Sequence, residues 1–227
     1  LFCKLHPDSI PMKHQKSLFR FSILVIILIC TWISSNFNWG ENRWGRIIRT
    51  DGTGYYAYLP ALIIYQDPNF GFFDEIASKN YHQNHSYDYR HYYHGYTVNK
   101  YFAGTALAIL PFFLLAHLFS HIFGYPVDGY SALYLIFVSI AALSYLALGL
   151  ISIRKILKFI PGSTEGKIAL ILVAITFGTN LFYYTVEEPS MSHVYSFGIL
   201  SAFIWQGFEY FKRPGKARIL TLSLLLG

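Results

Sequence analysis

Charged side chains are scarce in this sequence. Lys, Arg, Asp and Glu make up 13% of its 227 residues, whereas soluble globular chains carry about 25%. Too few charges are therefore present to cover a water-soluble domain, and a disordered chain or a nucleic-acid module is a poor interpretation despite the net charge of +6. The apolar residues, 54% of the total, come in blocks. This composition is typical of a protein with several membrane-spanning helices.

Several chemical signatures are also missing. The two cysteines, Cys3 and Cys30, lie in a basic tail and inside an apolar run, so a structural disulfide is not expected. The sequence has no Gly-rich phosphate loop and no nucleophile elbow. It also has no soluble nucleotide-sugar domain, which disfavours a cytosolic nucleotide-sugar donor.

Five long apolar runs and the start of a sixth are visible. They cover residues 18–35, 102–123, 130–153, 168–186 and 190–208, and the sixth covers 219–227. The run of 24 residues at 130–153 would form a helix about 36 Å long, enough for a tilted span. Because the sixth run is shorter than the roughly 20 residues of a span, we expect the chain to be the N-terminal part of a longer protein whose natural start is Met12.

The charged residues predict the orientation of the spans. Twelve of the 18 basic residues lie in three clusters, at 4–20, 154–167 and 212–218. Because basic loops tend to stay in the cytoplasm, these clusters and the N-terminus should be cytoplasmic. Nine of the 12 acidic residues lie in segments that would then be extracytoplasmic, within residues 36–100, at Asp128 and at Glu187 and Glu188.

This orientation requires that one run does not cross. If all five crossed, the basic loop 154–167 would face outward, whereas every basic cluster is cytoplasmic if 102–123 stays on the outer face. That run contains Pro111, His117 and His121, so we predict an interfacial or re-entrant helix there, with a crossing helix as the alternative.

The predicted fold is an all-α, polytopic transmembrane helix bundle with a long first extracytoplasmic loop. Its spans are expected at about 18–35, 130–153, 168–186 and 190–208, with a further span beginning at 219. The outer loop, residues 36–129, is expected to carry juxtamembrane helices at about 54–66 and 102–119.

One acidic side chain, Asp51, follows the first span at the predicted membrane surface. It precedes Gly-Thr-Gly and a short aromatic helix that contains Tyr55 and Tyr58. As a helix N-cap, Asp51 would satisfy free backbone N–H groups. As a functional group, it would meet a lipid-borne substrate and deprotonate an acceptor hydroxyl. Both interpretations fit the local sequence.

A first span followed by Asp51 and a tyrosine-bearing juxtamembrane helix, with Tyr55-Tyr56-Ala57-Tyr58, resembles the GT-C superfamily of integral membrane glycosyltransferases. This superfamily includes protein O-mannosyltransferases, aminoarabinose transferases acting on lipid A, and oligosaccharyltransferase catalytic subunits. The resemblance implies that Asp51 is the general base and that Tyr55 and Tyr58 bind substrate. It also implies a polyprenyl-phosphate sugar donor and an active site on the extracytoplasmic face of a bacterial inner (plasma) membrane. The acceptor stays open among a glycan, a lipid and a protein.

Two further segments match this layout. Relatives often have a Lys-Pro-Pro-like entry to the second juxtamembrane helix, and Lys100, followed here by Tyr-Phe, implies a contact with the donor phosphate. A lysine at a helix N-terminus also favours an anion. Glu187, Glu188 and His193 flank a tight proline turn, and the resemblance implies that they bind sugar hydroxyls, the phosphate or a divalent cation. The alternatives are a snorkelling lysine and a plain polar turn, although the two adjacent glutamates repel each other.

The segment 81–96 and the remaining functional alternatives carry weaker signals. Four His and six Tyr in this segment fit no zinc-finger or HExxH spacing, so tyrosines that face sugars or lipid headgroups are favoured over a metal site. A transporter or flippase of lipid-linked or sugar substrates is the alternative function. It is disfavoured because the runs 130–153 and 168–186 contain no charged residue and no inverted repeat is visible. A non-catalytic membrane scaffold is the third hypothesis.

Overall fold

The computed structural model describes residues 12–40 (backbone only for 12–20), 43–78 and 87–226. The fold is mostly helical, with 70% helix and 4% strand. Its helices are α1 (Met12–Asn38), α2 (Asp51–Ile63), α3 (Phe73–Ser78), α4 (Gly104–Phe123), α5 (Ala132–Leu157), α6 (Glu165–Phe177), α7 (Leu181–Val186), α8 (Ser192–Lys212) and α9 (Lys216–Leu226). A 3-10 turn at Trp44–Arg46 and an antiparallel hairpin of β1 (Arg90–Tyr93) and β2 (Tyr96–Asn99) complete the described elements.

Three of the described helices are long and apolar enough to cross a membrane. They are the segment Phe21–Asn38 of α1, and α4 and α5 in full. These helices support the prediction of a membrane-associated, helical protein. The predicted span at 190–208 corresponds to α8, whose last turns carry Glu209 and Lys212 and which is not among the three.

Helix α4 covers the segment predicted to be an interfacial or re-entrant helix. It is one continuous helix of 20 residues with Pro111 inside it, and it ends at Gly124, which has the left-handed φ of 70°. Length and composition would also allow this helix to cross a membrane, but the segments before and after it both contact α2, through Tyr101 on Asp51 and through Gly129 on Tyr56. Tyr56 of α2 packs its ring against Phe113 in the middle of α4.

The predicted span at 168–186 is not one continuous helix. Helix α6 ends at Phe177 after 13 residues, about 20 Å, and α7 begins only at Leu181. At the break, the Thr179 hydroxyl donates to the carbonyl of Ile175 and accepts from the N–H of Leu181. The side chain thus replaces backbone hydrogen bonds, which is how threonine interrupts a helix.

Two charged segments, the Glu187-Glu188 turn and the residues around Lys155, lie at opposite ends of the fold. Helix α5 forms the centre, packing against α1, α4 and α8. Its partner α8 runs parallel to it, since Tyr195 reaches Val138 near the start of α5 and Trp205 packs on Lys155 near its end. Helices α1 and α7 end beside each other, where the Asn38 amide donates to the Val186 carbonyl at 2.6 Å. The Glu187-Glu188 turn therefore lies at the end opposite Lys155.

An ion cluster joins α5 to α6 at the basic end. Glu165 lies 3.0 Å from Arg154 and 2.8 Å from Lys158, and its side chain is 11% exposed. Burial alone raises the pKa of the Glu165 carboxyl, but hydrogen bonds from Lys158 and Arg154 outweigh burial and lower it. Because the folded pKa lies below the ordinary value of 4.5, the cluster stabilises the fold above that pH. This stabilisation is lost as the pH falls through the lower folded value.

We expect Glu165→Gln to lower the free energy of unfolding by about 2 kcal/mol near neutral pH, because two cations lose a charged acceptor. The difference from the wild type should shrink below pH 4.5, as protonation removes the same charge. Denaturation by dodecyl sulfate in detergent micelles measures the free-energy difference and its dependence on pH. Glu209→Gln is the control, since Glu209 pairs with Arg218 at a longer distance, 3.6 Å. A pH-independent difference would contradict the expectation.

Candidate active site

Asp51 is the first residue of α2 and follows a strained position. Thr50, the residue that precedes the helix as its N-cap, has φ of 51° and ψ of −132°, and a β-branched residue with positive φ costs free energy. Asp51 is therefore inside the first turn rather than at the N-cap, so the N-cap interpretation was wrong. Its carboxylate still lies near the positive end of the α2 dipole.

Two tyrosines hold the Asp51 carboxylate. The Tyr101 hydroxyl donates to Oδ1 at 2.7 Å and the Tyr87 hydroxyl donates to the same oxygen at 3.0 Å, and the two phenols also contact each other. Within the described residues, no donor reaches Oδ2. The carboxylate is thus fixed in orientation through one oxygen, and the other is left to accept a proton or a hydrogen bond from a substrate.

Both phenols stay protonated and donate hydrogen bonds to Asp51. Burial and the hydrogen bonds with Tyr87 and Asp51 raise the pKa of Tyr101. The contact with Tyr101 lowers the pKa of Tyr87, but burial and the Asp51 carboxylate outweigh it, so that this pKa is also raised. Both hydroxyls therefore stay protonated at neutral pH.

The β-hairpin brings these two tyrosines together, because Tyr87 precedes β1 and Tyr101 follows β2. Its turn is formed by His94 and Gly95, both with positive φ, as a tight two-residue hairpin turn requires. The hairpin is attached to α2 through Asn99, whose amide donates to the Gly54 carbonyl at 2.8 Å. The sequence analysis missed it, since His-Gly is not one of the usual two-residue turn pairs that indicate a hairpin.

Tyr55 and Tyr58 surround Tyr101 rather than Asp51. The Tyr55 ring meets the Tyr101 ring edge to face, with centroids 4.9 Å apart, and the Tyr58 hydroxyl donates to the Tyr101 carbonyl. A Cβ on Gly54 would lie 2.2 Å from the Tyr101 ring, so this position must be glycine for the ring to reach Asp51. The two predicted substrate-binding tyrosines thus support the tyrosine that holds the acid.

Lys100 lies beside this cluster on the surface. Its ammonium donates to the Asp88 carbonyl at 2.7 Å and lies 6.0 Å from the centroid of the Tyr87 ring. The residue follows β2 and precedes the first residue of α4 by four positions, so its predicted place at a helix N-terminus was wrong. Its exposed charge is nevertheless close to the tyrosine pair.

Arg49 connects the start of α2 to the two predicted glutamates. Its guanidinium lies 3.3 Å from Glu187 and 3.4 Å from Glu188, and Tyr183 donates to Glu188 at 3.1 Å. The repulsion between the glutamates is therefore offset by one shared cation. Of the three arginines at 43, 46 and 49, Arg49 is thus already engaged by carboxylates.

Packing between Gly52 and Ser190 fixes the same junction. Both residues are buried, and a Cβ on Gly52 would overlap the Ser190 hydroxyl. The start of α2 therefore lies directly against the turn that carries Glu187 and Glu188. Asp51 and the two glutamates share one end of the fold.

His193 lies apart from this group. Its ring stacks on Tyr184 with centroids 3.7 Å apart and planes within 1°. The pair lines a cavity beside the α6–α7 break, and its contacts do not include Asp51 or Arg49. The structure thus divides the predicted substrate-binding residues between two places.

Acidic and histidine side chains do not gather into an ion site in the part of the chain that the structure describes: no three of His, Cys, Asp and Glu converge there. Glu187 and Glu188 are occupied by Arg49. Of the four histidines at 81–96, those at 82 and 85 lie outside the described residues, His91 is exposed on β1 and His94 is in the turn. The residues in place do not fit a divalent cation.

An apolar groove of about 720 Å³ leads to this end of the fold. It lies between α4, α5, α8 and α9, where Leu107, Leu148 and Ile199 line it, and Tyr55 lines it from α2. Because Tyr55 contacts Tyr101 and Tyr101 contacts Asp51, the groove reaches the surroundings of the carboxylate. Its lining suits the chain of a lipid.

No family model, curated protein or solved structure matches this chain. The likeness to the GT-C superfamily therefore stays a prediction from the residues quoted for it. The site itself is defined by its geometry: a tyrosine-held carboxylate, a shared arginine–glutamate junction and an apolar groove.

Proposed function

We propose that this protein is a membrane glycosyltransferase of the GT-C type. It moves a sugar from a polyprenyl phosphate to an acceptor hydroxyl on the extracytoplasmic face of a bacterial inner membrane, with the N-terminus in the cytoplasm. The observation that carries the proposal is the Asp51 carboxylate, fixed on one oxygen by two tyrosines near an apolar groove between helices.

The reaction requires one base and one countercharge. Asp51 Oδ2 takes the proton of the acceptor hydroxyl while the acceptor oxygen attacks the anomeric carbon. The bond between that carbon and the phosphate oxygen breaks, and polyprenyl phosphate leaves with the electron pair. The exposed ammonium of Lys100 lies near Tyr87, where it would offset the charge of the leaving phosphate. Tyr101 and Tyr87 keep the carboxylate aimed during the transfer.

The groove accounts for a lipid-borne donor. Leu107 on α4 lines it and is 67% exposed, so a lipid chain has apolar surface to contact. A chain in this groove would bring its phosphate toward Tyr55 and the Asp51 cluster. A water-soluble nucleotide sugar would gain nothing from such a surface.

The test is sugar transfer by the full-length protein in membranes. Radiolabelled polyprenyl-phosphate hexose should be consumed and nucleotide sugars should not. Leu107→Trp, which fills the groove, should raise the KM for the donor about tenfold with little change in kcat, because it removes binding that substrate and transition state share. Leu118→Trp is the matched control, since Leu118 is exposed on the same helix outside the groove lining. Absence of donor consumption by the wild type would overturn the proposal.

The break between α6 and α7 favours a second candidate, a transporter or flippase of lipid-linked sugars. Interrupted helices line substrate sites in many transporters, and the 178–180 break borders a cavity. An assay of the lipid donor in the same membranes distinguishes the two functions. A transporter would move the intact donor between leaflets, whereas a transferase releases polyprenyl phosphate.

A further inference from the structure

The break between α6 and α7 borders a second cavity of about 340 Å³. This volume is at the small end of the roughly 300 to 1,000 Å³ of ligand pockets, which suits one ring rather than a chain. Ile175, Leu181 and Phe197 form its apolar part. Six polar residues complete the lining: Thr179, Asn180, Tyr184, Ser192, His193 and Ser196.

The cavity lining selects an uncharged polar ligand. None of the described residues that line it is Asp, Glu, Lys or Arg, so a charged ligand would find no countercharge there. The lining does provide hydroxyl groups, an amide and an imidazole, which both donate and accept hydrogen bonds. A ligand with several hydroxyl groups would find hydrogen-bond partners along this lining.

An aromatic surface accompanies the polar groups. Tyr184 and His193 stack face to face, 3.7 Å between centroids, so each ring covers one face of the other and keeps one outer face. The apolar C–H face of a pyranose packs on such an aromatic face while its hydroxyls point to the polar side chains. A lipid chain would offer those polar groups no hydrogen-bond partner.

The two cavities adjoin at the start of α8. Ser192 and Ser196 line both the apolar groove and the polar cavity. The first turns of α8 thus separate a surface suited to a lipid chain from a surface suited to a sugar ring.

We infer that the cavity between the α6–α7 break and α8 binds an uncharged sugar ring, with Tyr184 and His193 as its aromatic face. Sugar binding stands on the cavity alone. That the bound ring belongs to the acceptor glycan rests on the proposed function.

The first experiment uses methyl α-glucopyranoside and methyl α-mannopyranoside as probes, with the full-length protein in lipid nanodiscs. Saturation-transfer NMR should detect binding of at least one of them, and methyl glucuronide, which carries a carboxylate, should bind more weakly. Tyr184→Leu and His193→Ala should each weaken binding about tenfold, equal to about 1.4 kcal/mol. Tyr125→Leu is the matched control, since Tyr125 is an exposed tyrosine after α4 and is not in the cavity lining.

The second experiment needs no variant. The bound glycoside should protect His193 from modification by diethyl pyrocarbonate, measured by mass spectrometry, while the exposed His91 on the hairpin is modified equally with and without sugar. Binding of neither glycoside, or equal binding by the wild type and both cavity variants, would overturn the inference. So would unprotected His193.

A comparison with Asp51→Asn separates the two proposals. This variant should keep glycoside binding and lose transfer. If His193 is protected but the wild type never consumes the lipid donor, the sugar site stands and the transferase function falls. If transfer occurs and His193 is not protected, the reverse holds.

Discussion

Asp51→Asn is expected to lower the rate of sugar transfer from the polyprenyl-phosphate donor by about 10²- to 10⁴-fold, the contribution of a general base. Asparagine has nearly the same shape and still accepts hydrogen bonds from Tyr101 and Tyr87 through its carbonyl. It cannot take a proton from the acceptor. The loss should therefore appear in kcat, with the KM for the donor little changed.

Two further variants are the controls for this result. Asp74→Asn removes a carboxylate that is 81% exposed on α3, and it should leave transfer unchanged. Tyr101→Phe removes one of the two hydrogen bonds to Asp51, so it should reduce kcat by less than Asp51→Asn does. Unimpaired transfer by Asp51→Asn, in protein that elutes and melts like the wild type, would remove Asp51 from the catalytic role.

The long helices were predictable because each coincides with an apolar run in the sequence. The predicted spans 18–35, 130–153 and 190–208 correspond to α1, α5 and α8, and the juxtamembrane helix at 54–66 corresponds to α2. The ends differ by several residues, since helix ends depend on capping and on neighbouring elements. Hydrophobicity alone indicates which segments form the long apolar helices.

Hydrophobicity alone does not fix backbone continuity. The run 168–186 is mostly apolar, yet Thr179 interrupts it through local hydrogen bonds that compete with the helix. The hairpin was missed for the opposite reason: most of its residues are exposed and none is buried, so it has no apolar block to reveal it.

The candidate site was predictable only in part. Asp51 was chosen from its place after the first span, but its partners Tyr87 and Tyr101 are 36 and 50 residues away in sequence. Arg49 and Glu187 are separated by 138 residues. Such pairs depend on how α2, the hairpin and the Glu187-Glu188 turn pack, and no local pattern encodes that packing.

The packing of α2 against that turn leads to the second large effect. Gly52→Ala should lower the free energy of unfolding by about 1–3 kcal/mol, the usual cost of overpacking. The new Cβ would lie 2.7 Å from the Cβ of Ser190 and closer still to its hydroxyl, so either α2 or the turn has to move. Because Asp51 is the adjacent residue, transfer should also fall, by about 10²-fold for a shift on the order of 1 Å.

The matched control and the rescue distinguish a steric effect from a general effect of alanine. Gly166→Ala places a Cβ in the first turn of α6 with nothing within 4 Å and outside the groove lining, so neither the melting temperature nor transfer should fall. Ser190→Gly in the Gly52→Ala background removes both overlapping atoms and should restore most of the stability and the transfer rate. If the double variant is as impaired as Gly52→Ala, the clash with Ser190 is not the cause. In that case, the start of α2 is not held against the Glu187-Glu188 turn, and Asp51 and Arg49 lose their shared junction with it.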